Sequence, residues 1–365
     1  MTEIVQKIKI FLLEFMRSPV DTSALVGRFL VQKFATEQIE RLRLITKKFP
    51  LILQIEGTNV CNAVCVFCAN AHMQRPKGVM SLPLFEKIVK EYAGMGGGPV
   101  SLTPIIGDAL LDPHLLERVR ILKTYPEINQ ISLTTNALAL DRYADEDVCR
   151  LLDTLYCLQV SIGGLDAATY ELMFGVDRYP YIEQAMERLL LLNMSVSHPA
   201  HITFAFRTND RKFESRYKEV IDRYRRRGVF VSHIWTYANY AGLVKDDEKL
   251  NLVVMKSGQQ KRKACIYASV AMSICWDGTI TACGCADFEG TRMTIGNAAT
   301  EALSDVWTGK KRTGLLSSFA AENAPMICRK CSAYQADTSF AFPYFKNVQP
   351  HQPLPLEFYH QFWGG

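Results

Sequence analysis

An α/β fold, with a parallel sheet and helices packed outside it, is what this chain predicts. Three observations carry that reading. Six apolar, β-rich runs alternate with helical patterns, the order of βα units. A length of 365 residues allows one large core plus a smaller appendage. A composition with 48% hydrophobic and 22% charged residues is that of an ordinary globular protein. In chain order, strand 51–56 ("LILQIE") leads to helix 82–95, with Pro83 where a helix start tolerates a missing N–H. Strand 99–106 then precedes helix 112–125, which opens on Pro113. Strand 128–136, helix 141–153, strand 155–164 and helix 181–193 follow. Strand 201–208, helix 212–228 and strand 229–237 complete six units. Ligand-facing residues in such folds gather just after the strand C-termini.

The flanks and the charge narrow the setting. Residues 3–17 and 24–45 read as amphipathic helices capping the sheet. The tail 340–365 carries eight aromatics, too many for a disordered tail, and is expected to pack on the protein or a subunit. The net charge is +5, and the basic runs "RYRRR" (223–227) and "KRK" (261–263) read as solvated surface, so no nucleic-acid partner is expected. No apolar run reaches the roughly 20 residues of a bilayer span, and no signal-peptide cleavage site opens the chain. A cytoplasmic protein without membrane association is expected, with its cysteines reduced. Oligomeric state stays open.

Eleven cysteines then need an explanation. "GTNVCNAVCVFCAN" (57–70) holds Cys61, Cys65 and Cys68 on one loop, immediately after the first strand. A four-iron, four-sulfur cube offers one outward position per iron, so three thiolates leave one iron open. Three buried loop cysteines, or a zinc site completed from elsewhere, are the alternatives. Cys149 in a helix pattern and Cys157 in a strand read as packing residues. Six more cysteines crowd the C-terminal third: Cys265, Cys275, Cys283, Cys285, Cys328 and Cys331. His198, His201, His233 and Asp210 lie near strand ends and read as structural.

The loop resembles the signature of the radical S-adenosylmethionine (SAM) family, C-x3-C-x2-C with an aromatic residue, here Phe67, before the last cysteine. The apolar approach "LILQIE" into "GTNVCN" is similar too. The resemblance implies a partial (β/α)6 TIM-type barrel and a [4Fe–4S] cluster on Cys61, Cys65 and Cys68. Its open iron would bind SAM, and reductive cleavage would give a 5′-deoxyadenosyl radical that takes a substrate hydrogen. It also implies cofactor contacts at Gly107 and Asp108 (a shorter carboxylate than the family's glutamate), Asn136 and Ser161. Gly163 stands where the family has an aspartate, and Arg178 and Arg207 are both candidates for SAM's carboxylate.

Cys265-x12-Gly278-x4-Cys283 and "TIGNAATEALSDVW" (294–307) resemble the SPASM or shorter twitch extension. That implies a C-terminal domain with an auxiliary [4Fe–4S] cluster on Cys265, Cys283, Cys328 and Cys331, with zinc as the alternative for four thiolates. Cys275 and Cys285 are then spare: packing residues, a substituted ligand, or a hydrogen-atom donor. "WDGT" (276–279) should turn a hairpin. The expected parts are a helical extension (1–49), the barrel (50–245), the auxiliary domain (246–335) and the tail (336–365). Similarity to a twitch-type aminocyclitol dehydrogenase implies dehydrogenation of a small hydroxylated metabolite such as a sugar, with flavodoxin or ferredoxin as reductant. Epimerisation, peptide or protein maturation, and a non-catalytic metal-binding module are the alternatives.

Overall fold

Residues 40, 43–257, 261–337, 353, 354, 356 and 359 are described by the structure, a computed structural model. The expected helix 3–17 and nearly all of 24–45 lie outside these residues.

Strand β1 (Ile52–Ile55) is buried along its whole length, as a continuous apolar run in a sheet covered on both faces must be. Helix α1 (Leu82–Gly94) follows, capped by the Ser81 side chain with Pro83 in its first turn. Then come β2 (Pro99–Ser101), α2 (Leu115–Lys123), β3 (Gln130–Thr135), α3 (Asp145–Leu152) and β4 (Cys157–Ile162). Helices α4 (Ala167–Phe174) and α5 (Tyr179–Ser195) lead to β5 (His201–Arg207), and α6 (Phe213–Arg216) and α7 (Lys218–Arg226) to β6 (Phe230–Ile234). Strands β1 to β6 are sequential parallel neighbours, the order of a partial (β/α)6 barrel.

Three differences from the sequence reading have physical reasons. The second strand ends at Ser101 rather than residue 106, because Pro104 has no N–H to offer a ladder and the segment peels away. The run 229–237 divides into β6 and β7 (Thr236–Tyr237), and β7 pairs with β8 (Val253–Val254) in a separate small sheet. Helix α4 was not expected at all.

The C-terminal part continues the main sheet. After α8 (Ile266–Val270), β9 (Ala271–Ile274) runs parallel to β1, with Ile52 opposite Ala271 and Ile55 opposite Ile274. The expected hairpin forms: β9 pairs antiparallel with β10 (Thr279–Thr281) across a turn in which Gly278 has φ +87°. Strand β11 (Thr294–Asn297) closes that edge, followed by α9 (Leu303–Thr308), α10 (Lys310–Ala320) and α11 (Met326–Lys330). One hydrophobic core runs from the barrel strands to Trp307 and Phe319. Two tail residues pack as expected: Leu354 and Tyr359 are buried against Leu51 and Ile52, and Tyr359 Oη donates to Gln130 Oε1 at 2.8 Å. Among the described residues no helix is long and apolar enough to cross a membrane.

Candidate active site

The cysteine loop is fixed from three sides. At its start Gly57 lies against the buried Asp112–Arg118 ion pair; a Cβ there would meet Asp112 Oδ2 at 2.1 Å. Asn59 then grips the returning chain, donating to Pro76 O (2.8 Å) and accepting from Gly78 N (2.8 Å). Between the cysteines, Val64 N and Val66 N donate to Phe174 O (2.9 Å) and Met173 O (3.1 Å), the C-terminal carbonyls of α4. Those carbonyls lack partners within their helix, so the loop satisfies them while the helix holds the loop.

Cys61, Cys65, Phe67 and Cys68 line one cavity with Gly107, Asp108, Asn136, Ser161 and Arg207. The structure thus brings together every residue expected at the SAM site except Arg178. Arg178 sits half-exposed before α5, over the Tyr181 ring (4.6 Å) and 3.8 Å from Asp141, outside the cavity. Arg207, the other candidate, lines the cavity, its Nε donating to Ser161 Oγ at 3.4 Å and its guanidinium 5.8 Å from the Phe67 ring centre. Phe67 is stacked on Tyr237 at 4.6 Å, which sets its orientation.

Burial pushes all three thiols up, Cys61 to about 11 and Cys65 well above the usual range, with the Cys68 and Cys61 charges adding at Cys65. Opposing this, Arg207 and Lys77 favour the Cys68 thiolate, and Asn70 N–H donates to its Sγ at 3.4 Å. Lys77, held by Asn59 O (3.0 Å) and Asn70 Oδ1 (2.8 Å), was missed in the sequence because nothing in its spacing marks it. Asn136 Nδ2 reaches Cys61 Sγ at 3.9 Å and Asn62 Oδ1 at 2.9 Å.

Asp108 is also held by the chain itself. Its carboxylate accepts Thr135 Oγ1 (2.8 and 3.0 Å), Asn136 N (2.6 Å) and Leu110 N (3.0 Å), and the residue is 2% exposed. Those bonds brace the β2 and β3 ends around a carboxylate that also lines the cavity. Gly107 is required by close approach: with φ +132°, a Cβ would meet Thr58 O at 2.8 Å.

The second set, Cys265, Cys283, Cys328 and Cys331, lines a separate cavity with Tyr267, Met293 and Tyr334. Lys261 stands at its rim, donating to Cys331 O (3.0 Å) above the Tyr334 ring (4.3 Å). The two spare cysteines part company. Cys275 is buried in the β9–β10 turn beside the Glu56–Arg75 ion pair and lines neither cavity. Cys285 lies between the sets: after burial, the charges of Cys283, Cys331, Cys265 and Cys68 all push its thiol up.

Tyr240, another residue not singled out in the sequence, stands in the same gap, its phenol raised by burial and then by Cys68 and Cys285. Its backbone (φ 43°) and that of Ala241 (φ 58°) are left-handed, a conformation that costs about 1–3 kcal/mol and needs an outside hold. Asn239 supplies it: Nδ2 donates to Lys330 O (2.8 Å), and Oδ1 accepts Ser332 N (3.0 Å) and Ala241 N (3.0 Å). Both outside partners flank Cys331.

The donor chemistry fits iron–sulfur clusters. All eleven cysteines are free thiols, and the two sets ring cavities. Among the described residues no three His, Cys, Asp or Glu side chains converge on a single metal ion. His233 packs on Phe213 at 5.1 Å, His198 pairs with Asp153, and Asp210 with Arg216, as structural residues do.

Comparison with known proteins agrees with this geometry. The radical SAM superfamily matches residues 55–243, and SPASM, an iron–sulfur cluster-binding domain, matches residues 265–332. A GTP 3′,8-cyclase of Chlorobaculum tepidum is 30% identical over 138 residues, 38% of this chain and 40% of that protein. One from Synechococcus elongatus is 29% identical over 149 residues, 40% and 43% of the two chains. The chain thus spans about two fifths of these curated relatives. Among solved structures, BtrN in complex with AdoMet and 2-DOIA has a TM-score of 0.51 at 16% identity, over 80% of this chain and 96% of that one. SuiB of Streptococcus suis bound to the precursor peptide SuiA has a TM-score of 0.56 at 18% identity, over 85% and 76%. At these identities the structural likeness concerns the fold. With the superfamily match covering more than half of its length, the chain belongs to the radical SAM superfamily and carries a C-terminal SPASM domain.

Proposed function

We propose that this enzyme dehydrogenates a small hydroxylated metabolite, such as a sugar or aminocyclitol. Family membership brings SAM, a radical SAM [4Fe–4S] cluster and auxiliary iron–sulfur binding, and together these supply, when bound, a 5′-deoxyadenosyl radical able to take a hydrogen atom. The chain's own residues do the rest. Cys61, Cys65 and Cys68 would hold the cluster through three thiolates, which would leave a position for SAM. Arg207, kept over Phe67 by Ser161, offers a guanidinium to SAM's carboxylate. Asn136 gives the Cys61 sulfur an N–H donor, and Gly107 lets the chain pass close beside the cofactor space.

The observation that carries the proposal is the second cavity, where four thiols enclose one space. Four protein ligands leave no iron open to substrate, which suits electron transfer better than substrate binding. Taking a carbinol hydrogen atom leaves one more electron and one proton to remove for a ketone; an auxiliary cluster held by Cys265, Cys283, Cys328 and Cys331 would supply the electron acceptor, and solvent would take the proton. Cys285 supports a second reading, epimerisation, because a thiol between the two sets can return a hydrogen atom. Modification of a peptide is a third, supported by the SuiB complex with its precursor peptide. Anaerobic turnover with sugars, cyclitols and peptides, following 5′-deoxyadenosine against product mass, separates them. Dehydrogenation predicts loss of two mass units from a small alcohol; unchanged mass with inverted stereochemistry selects epimerisation.

A further inference from the structure

A further cavity lies away from the cysteine loop, and the charge of its described lining is one-sided. It measures about 340 Å³ and is lined by Arg43, Lys47, Arg262, Lys263 and Arg312, with Asp337 as the one carboxylate among the described lining residues. Part of the run "KRK" (261–263), which reads in the sequence as solvated surface, therefore faces a concave space. Asp337 is already held by Arg43, whose Nε donates to it at 3.1 Å, and Arg262 reaches outward to Glu322 at 3.0 Å.

Arg312 makes the arrangement unusual. It is 2% exposed, and among the described residues no carboxylate pairs with it. Its Nη1 and Nη2 donate to neutral carbonyls, Trp307 O (3.3 Å) and Ser269 O (3.0 Å), and the guanidinium lies 3.4 Å from the Trp307 ring centre. Nε has no partner. A buried cation normally carries a counter-charge, since desolvating an unpaired ion costs several kcal/mol. Stacking on Trp307 offsets part of this and holds the planar fork in place. Burial alone, with no acid to oppose it, pushes the guanidinium well below the usual arginine range.

We propose that this cavity is an anion site that takes a phosphoryl dianion, with Arg312 as its buried anchor and Lys47 and Lys263 as its outer cations. Arg43 is committed to Asp337 and Glu40 and Arg262 to Glu322, which leaves Arg312, Lys47 and Lys263, three cations that favour a double negative charge over a single one. The volume is within the range of small-molecule sites, enough for a phosphate and for the body of a phosphate monoester.

Calorimetric titration of the full-length, cluster-loaded protein tests it, at constant ionic strength. The probes are inorganic phosphate, glycerol phosphate as a monoester, and acetate as a monoanion. Saturable phosphate binding is expected, with acetate weaker. Arg312→Gln should weaken phosphate about tenfold or more, the worth of a charge-assisted contact. The double variant Lys47→Gln/Lys263→Gln, which changes only exposed side chains, should weaken it similarly and decides the matter alone should Arg312→Gln not fold. Tighter binding of glycerol phosphate than of phosphate assigns the site to a monoester; the reverse order assigns it to the free ion. Absence of saturable phosphate binding, or equal affinity in the parent and the lysine variant, overturns the proposal.

Discussion

Asp108 both lines the cofactor cavity and ties two strand ends together. Its four hydrogen bonds come mostly from Thr135 and Asn136, which lie in the next βα unit, so nothing in the local motif announces them. Asp108→Asn turns one acceptor oxygen into a donor facing other donors. We expect a loss of about 1–3 kcal/mol of stability, read by urea unfolding. Unchanged stability together with a tenfold loss in SAM affinity would point to a direct contact with SAM. The cysteines themselves were legible because ligand spacing is local. Their environment was not. Burial raises Cys61 to about 11, Cys265 to about 11 and Cys283 to about 12, so at neutral pH the unloaded protein holds them as thiols. Loading must displace those protons. Iron bound per chain in a fixed reconstitution time should therefore rise from pH 7 to pH 9. The unloaded fold should keep its stability up to about pH 9 and lose it as pH rises from there toward 11–12, because the unfolded thiols ionise first. A flat loading profile would count against thiol deprotonation as the limiting step.

At the scale of elements, the missed helix α4 matters most. Its sequence, "AATYELMF", is short and mostly apolar, and no polar stripe marks a period. Its signals were the caps. Asp166 accepts Thr169 N at 2.8 Å, and Gly175 takes the left-handed C-terminal place at φ +69°, where a Cβ would meet Val64 O at 2.8 Å. That helix end carries the loop holding Cys65, so its integrity should be read in cluster retention. Asp166→Ala removes the cap and the bond from Tyr217 Oη, at a cost of about 1–2 kcal/mol. Faster iron loss to a chelator is expected, beginning with the Cys61, Cys65 and Cys68 cluster. The hairpin around Gly278 was legible from its turn residues. Its place beside β1 was not, because pairing Ile52 with Ala271 is a long-range register.

For the molecule as a whole, the order of six parallel strands followed from simple alternation, whereas the joining of the two cysteine sets did not. Asn239 fastens the last barrel loop to the segment around Cys331, and this clamp keeps Tyr240 in its left-handed turn. Asn239→Ala should lower product yield per 5′-deoxyadenosine more than it lowers 5′-deoxyadenosine formation, since it loosens the space between the sets and leaves Cys61, Cys65 and Cys68 alone. Equal falls in both would assign the effect to general destabilisation.

Central to the proposed function is a division of work between two cysteine sets, one generating the radical and the other holding an auxiliary cluster. The most direct measurement is anaerobic reconstitution of the Cys61→Ala/Cys65→Ala/Cys68→Ala variant, followed by iron analysis and 5′-deoxyadenosine assay under reduction. The prediction is that 5′-deoxyadenosine disappears while about half of the parent's iron stays, held by Cys265, Cys283, Cys328 and Cys331. Undiminished 5′-deoxyadenosine from that variant would contradict the claim.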